Sequence, residues 1–170
     1  QHWTKENMLD VIALGFDPKK THFLIDTKHA GIMYPEAIKV AKKITFSTIK
    51  SAFGFSDSNN IGSIFYTSMQ TVPVFLSNVL NNEKRPCLIP LGVDQDPHFR
   101  ISRDVVEKLG HRKPAILHSK MMPPLTGLDG KMSSSTADKA ILTTDNPKTV
   151  KKKINKYAFS GGQPTVEEHR

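Results

Sequence analysis

The chain has 170 residues, 38% of them hydrophobic and 24% charged, with a formal net charge of +8. That length holds one domain plus a fragment of another, and no apolar run approaches the roughly 18–20 residues that a bilayer span needs, so no membrane-spanning helix is expected. Cys87 is the only cysteine and the seven histidines are scattered with no i, i+4 pair, which excludes an intrachain disulfide, a thiolate zinc cluster and a helical transition-metal site.

A reducing, cytoplasmic compartment is expected, and the positive charge favours phosphate polyanions, either nucleotide or nucleic acid. The start of the chain, Gln1 to Asn7, is polar and carries neither a secretion leader nor an initiator methionine. The expectation is a chain that begins inside a longer protein, or one that has been processed.

Residues 4–14 have helical spacing closed by Gly15, and His22-Phe23-Leu24-Ile25-Asp26 reads as a short buried strand. Tyr34 to Phe46 reads as an amphipathic helix opened by Pro35, and Phe53 to Asn59 as a turn region. A third helix follows near Ile61–Gln70, ended or bent by Pro73. Cys87 to Val93 is a near-continuous apolar run, expected for a strand covered on both faces; Ala115 to His118 is another, with a helix over Phe99–Leu109 and Gly110 between them. Strand, helix and strand within about thirty residues make the parallel βαβ crossover of a doubly wound sheet, whose ligands sit beyond the carboxyl ends of the strands. Asn146-Pro147 is an N-cap followed by proline at the first helical position, opening a helix to about Phe159 that Ser160-Gly161-Gly162 stops. Thr165-Val166-Glu167-Glu168 begins a further helix.

The fold class is therefore α/β: the second half of a doubly wound parallel, Rossmann-like nucleotide-binding sheet, leading into an all-helical domain, with a boundary near residues 136–146. Much of the excess charge lies late, in Lys148, Lys151, Lys152, Lys153 and Lys156. On a helix those lysines spread around the cylinder rather than forming one stripe, which leaves a solvated face and a nucleic-acid surface both open.

Two segments carry the chemistry. Gly92-Val93-Asp94-Gln95-Asp96 falls where a buried strand ends: Asp94 can accept hydrogen bonds from ribose hydroxyls or an ammonium, Gln95 can donate and accept, and Gly92 admits close approach of a nucleotide. About thirty-five residues later Lys131-Met132-Ser133-Ser134-Ser135 lies in a loop with Gly127 and Gly130, where a cation and hydroxyls can close over a polyphosphate. Alone, the first is also an ordinary turn after a strand and the second an ordinary polar loop; in this order, on strand ends of one sheet, they point to a nucleotide.

At these residues the chain resembles the class I aminoacyl-tRNA synthetases, most closely the tryptophanyl branch of eukaryotic and archaeal kind. The likeness runs in order through Ile12 to Asp17, Phe53 to Ser58, Leu88 to Arg100, Lys113 to Ser119, the Lys131 loop, and Ala158 to Arg170. It implies a tryptophan-tRNA ligase that joins tryptophan to ATP as an adenylate, with magnesium, and passes the acyl group to tRNA(Trp). It also implies a homodimer. By the same resemblance Lys131, with Ser133, Ser134 and Ser135, stabilises the pyrophosphate end during adenylation. Asp94 and Gln95 hold the ribose and the amino-acid carboxyl region beside Gly92, where the nucleotide comes close to the backbone, and backbone groups near Ile116, Leu117 and Met132 read adenine.

Gln70 matches the family's glutamine on the substrate ammonium, with Gln95 the second tryptophan-binding residue. Related tyrosyl enzymes place an aspartate three residues after that glutamine, where this chain has Pro73, which cannot accept a phenol hydrogen bond. Leu125 to Gly130 also looks like archaeal tyrosyl enzymes, so tyrosine stays open as the substrate, as does a synthetase-derived piece that binds nucleic acid or protein without catalysis. The family's His-x-Gly-His signature is not in these residues. Residues 1–140 are accordingly expected to be part of a catalytic domain lacking that half, residues 141–170 a linker and the start of a helical anticodon-binding domain, and the isolated chain inactive.

Overall fold

A computed structural model describes residues 2–159 and 161. Its elements in chain order are α1 (His2–Ala13), α2 (Asp26–Ala41), α3 (Phe46–Phe53), α4 (Ile61–Thr71), a 3-10 turn (Val72–Val74), α5 (Leu76–Asn81), β1 (Leu88–Gly92), a 3-10 turn (Val93–Gln95), α6 (Asp96–Lys108), β2 (Ala115–Ser119), a 3-10 segment (Ser134–Lys139) and α7 (Pro147–Tyr157). Residues 22–119 form one compact unit, and the segments flanking it, up to Thr21 and from Lys120, form another. The helix expected from Thr165 and most of the glycine stop before it lie outside the described residues.

The central unit is built on the βαβ crossover that the apolar runs predict. β1 and β2 are parallel neighbours, in register from Leu88 opposite Ala115 to Gly92 opposite Ser119, and α6 connects them. One face of this two-stranded sheet is covered: Leu91 is buried, and Ile89 and Ile116 pack against a cluster of Val40, Ile49, Val74, Phe75, Phe99, Ile101, Val105 and Val106. A smaller cluster joins α2 to the turn after α4 through Met33, Ala37, Val72 and Leu76. Full burial of each such Val, Leu, Ile, Phe or Met side chain is worth about 1.5–3 kcal/mol.

The strands are not covered on both faces, as the continuous apolar runs suggest. Leu88 is 61% and Leu117 58% exposed, and with Pro90 and Ala115 they share the opposite, open face. Among the described residues, helices pack against one side of the sheet alone.

Three other expectations change. His22 to Ile25 is irregular, not a strand, because among the described residues no strand pairs with it. Its last backbone N–H, on Ile25, donates instead to Nδ1 of His29 at 3.0 Å, and α2 begins there. That helix runs through Pro35 rather than opening at it. The carbonyl that loses its partner belongs to Gly31, on exposed surface where water can serve it. Phe46 starts a separate helix: Thr45 caps α3 by accepting from the Thr48 N–H at 3.2 Å, and Gly54 closes it with φ +65°. The turn region through Asn59 then follows as expected, with Asn60 accepting from the Ser63 N–H at 2.8 Å to open α4.

In the flanking unit, α1 ends before Gly15 at φ +98°, and Asn146 caps α7 by accepting from the Thr149 N–H at 2.9 Å, both as the sequence predicts. α7 packs on the 3-10 segment Ser134–Lys139.

Candidate active site

Gly92, Asp94 and Gln95 stand where the sequence predicts them, in the turn at the carboxyl end of β1. Asp94 is exposed, and Gly92 and Gln95 are half-buried. The turn is fixed from both sides. Ser119, opposite Gly92 in the ladder, donates from its hydroxyl to the Leu91 carbonyl at 3.1 Å. Asp96, the first residue of α6, places Oδ1 2.6 Å from His118 Nε2 at the end of β2 and accepts from Arg100 Nε at Oδ2. The His118 hydrogen bond, then Arg100, holds the Asp96 carboxyl below its ordinary range. The sequence names Asp96 and His118 within motifs without giving them work; the signal was an acid opening a helix directly after a strand whose parallel neighbour ends in histidine.

Gln70 lies half-buried in the last turn of α4, a helix whose inward face is polar. Thr71 Oγ1 donates to the Thr67 carbonyl at 2.8 Å and lies 2.7 Å from Ser102 Oγ, which donates to the His98 carbonyl at 2.9 Å. Thr67 Oγ1 is 2.9 Å from His98 Nδ1. These contacts stitch α4 to α6, so the helix bearing Gln70 is locked to the one that begins directly after Gln95. His98 also packs against Phe53 with the rings tilted and their centroids 4.4 Å apart, and burial pulls its pKa down. Pro73 follows Gln70 in the 3-10 turn and offers no side-chain acceptor. Ile116 and Leu117 sit mid-strand in β2, opposite Ile89 and Pro90, on alternate faces.

The Lys131 segment belongs to the flanking unit. The Met132 N–H donates to the Met122 carbonyl at 2.7 Å, and the Leu125 N–H to the Lys139 carbonyl at 3.1 Å, closing a long loop. Gly130 takes φ +86°, the left-handed region that disfavours a side chain. Ser133 caps the following 3-10 segment, with Ser133 Oγ 2.6 Å from Ser135 Oγ. Lys131, Ser134 and Ser135 are exposed, Met132 and Ser133 half-buried. The loop therefore gathers a cation and three hydroxyls, while the β1 turn gathers an acid, an amide and an open backbone. Among the described residues no group of three His, Cys, Asp or Glu side chains is placed to hold a metal ion. No helix among the described residues is long and apolar enough to cross a membrane.

Residues 2–168 match the model of the class I tRNA synthetases for tryptophan and tyrosine. The whole chain is 55% identical to 43% of the tryptophan–tRNA ligase of Sulfolobus acidocaldarius, and 49% identical to 42% of that of Pyrococcus furiosus. Among solved structures, 98% of the chain superposes on 44% of Plasmodium falciparum tryptophanyl-tRNA synthetase at a TM-score of 0.80 and 43% identity. A product-bound parasite tRNA synthetase gives 0.85 at 45% identity, over 98% of this chain and 46% of that one. The chain thus spans less than half the length of these relatives.

Proposed function

The chain belongs to the class I tRNA synthetases for tryptophan and tyrosine, and we propose that it is the middle part of a tryptophan-tRNA ligase. The observation that carries this reading is the Gly92–Gln95 turn at the carboxyl end of a parallel strand, braced by Asp96, in a chain whose ordered likeness to tryptophan enzymes runs end to end. Residues 1–140 contribute to the catalytic domain, and residues 141–170 lead toward a helical domain.

The reaction needs positioning and charge neutralisation rather than a covalent protein intermediate. The tryptophan carboxylate attacks the α-phosphorus of ATP, and pyrophosphate leaves. Lys131 and the hydroxyls of Ser133, Ser134 and Ser135 follow the charge that develops on the departing phosphates. Asp94 and Gln95 hold the ribose and carboxyl end, Gly92 admits the nucleotide close to the backbone, the backbone near Ile116, Leu117 and Met132 receives adenine, and Gln70 with Gln95 orients the amino acid. A terminal ribose hydroxyl of tRNA(Trp) then attacks the adenylate carbonyl, releasing AMP. Magnesium enters with the nucleotide phosphates. A homodimer is part of the same proposal.

Pro73 supports tryptophan over tyrosine, because a buried phenol hydroxyl without an acceptor costs about 1–3 kcal/mol. The test is pyrophosphate–ATP exchange by the complete protein with each amino acid. Exchange driven by tryptophan supports the reading, and exchange driven by tyrosine overturns it. The isolated 170-residue chain, which contains no His-x-Gly-His, should give no exchange.

A further inference from the structure

The lysines of α7 divide into two populations. Lys153 turns inward: its Nζ lies 2.6 Å from Asp145 Oδ2 and donates to the Ala140 carbonyl at 2.9 Å, and both charged side chains are only 12% exposed. That contact fixes the rotation of the helix about its axis. Lys148, Lys151, Lys152 and Lys156 then point elsewhere, all exposed. At about 100° per residue they fall, with Asn155 among them, within an arc of about 140°. This departs from the even spread expected of a lysine-rich helix, because the one residue that would spread the charge is consumed by Asp145.

These five residues line a shallow cleft of about 560 Å³. α7 contains no acidic residue, and among the described residues Lys148, Lys151 and Lys152 make no ion pair. Lys148, Lys152 and Lys156 climb the helix in steps of about 6 Å, so the row extends about 12 Å. A duplex strand carries one phosphate per 3.4 Å of axis, so the row spans on the order of three or four phosphates. The cleft is lined by lysine and asparagine alone, and the half-buried Tyr157 ring is already covered by Lys156, 4.9 Å from its Nζ, so the face offers no row of open aromatic rings on which single-stranded bases would stack.

From this we infer that the Lys148–Lys156 face of α7 docks the phosphate backbone of a helical RNA stem, reading charge and shape rather than sequence. The partner's identity rests on the function proposed above, on which that stem belongs to tRNA.

The test compares the complete protein with its Lys148→Gln/Lys151→Gln/Lys152→Gln variant, glutamine being about as good a helix former as lysine. Binding of a tRNA(Trp) transcript and of an unrelated RNA duplex is measured against salt. The slope of log affinity on log salt should shrink by about 2–3 for both RNAs, at roughly 0.9 for each duplex phosphate that the variant leaves unneutralised. The corresponding triple arginine variant should restore it. Melting temperature and tryptophan-dependent exchange should be unchanged. An unchanged slope overturns the inference, as does a variant that loses binding to anionic phosphatidylserine vesicles but not to RNA. Protein that shows the slope change yet has no tryptophan-dependent exchange loses the proposed function and keeps this surface; normal exchange with an unchanged slope does the reverse.

Discussion

The unit of residues 22–119 and the segment from Lys120 to Phe159 hold their parts of the candidate site by different means. The first buries two apolar clusters and a hydroxyl ladder between α4 and α6, so the Gly92–Gln95 turn and Gln70 are set by packing. In the second, Ala140 is the one buried residue between 120 and 159, and the Lys131 loop is closed by backbone hydrogen bonds on exposed chain. Sparse packing and exposed backbone bonding are where proteins open at least cost. One set of candidate residues is thus held by packing, and the other sits on chain that can open at low cost.

The largest test of that contrast lies in the core. Phe75 is 1% exposed and stacks on His111 with centroids 4.5 Å apart, so Phe75→Ala should destabilise the protein by about 3–5 kcal/mol in denaturant titration. Leu128→Ala, at a side chain 80% exposed in the loop, should stay within about 0.5 kcal/mol. Equal losses at the two sites would erase the distinction.

Next is Lys131→Ala in the complete protein. Tryptophan activation should slow on the order of 10²–10³-fold, as when one preorganised transition-state donor is removed, with the melting temperature unchanged. A wild-type rate would take the loop out of the chemistry and favour a non-catalytic role for the chain.

A smaller effect sharpens the polar side of the contrast. Thr71 and Ser102 are both fully buried, so Thr71→Val leaves Ser102 Oγ without its hydroxyl partner and should cost about 1–3 kcal/mol. Ser134→Ala, at an exposed hydroxyl, should cost nothing measurable in stability.

The smallest is a pH dependence. Burial lowers the pKa of His98, so between its folded value and the ordinary value of about 6.5 the unfolded chain binds more protons than the native one. Stability should therefore rise with pH across that window and level off above it. Denaturation midpoints measured from pH 5 to 8 should show this, and His98→Gln should flatten the rise in part, because His111 is lowered by burial as well.

What can be read in the sequence is what local pattern dictates. The apolar runs at Leu88 and Ala115 give the parallel pair, and Asn146-Pro147 gives the start of α7 to the residue. Pro35, a common first helical residue, points to a start for α2 that is too late, and the sequence does not show that His29 lets the helix begin at Asp26. The Asp96–His118 clamp joins residues far apart in sequence that only the strand register brings together. The lysine arc depends on the inward turn of Lys153, a long-range contact that no periodicity reveals.

The open face of the sheet has a practical consequence. Leu88, Pro90, Ala115 and Leu117 form a wet apolar stripe on two adjoining strands, the kind of exposed face that draws other chains onto it. Produced by itself at high concentration, this polypeptide should cloud and settle into inclusion bodies. Its yield should improve with dilution or low temperature.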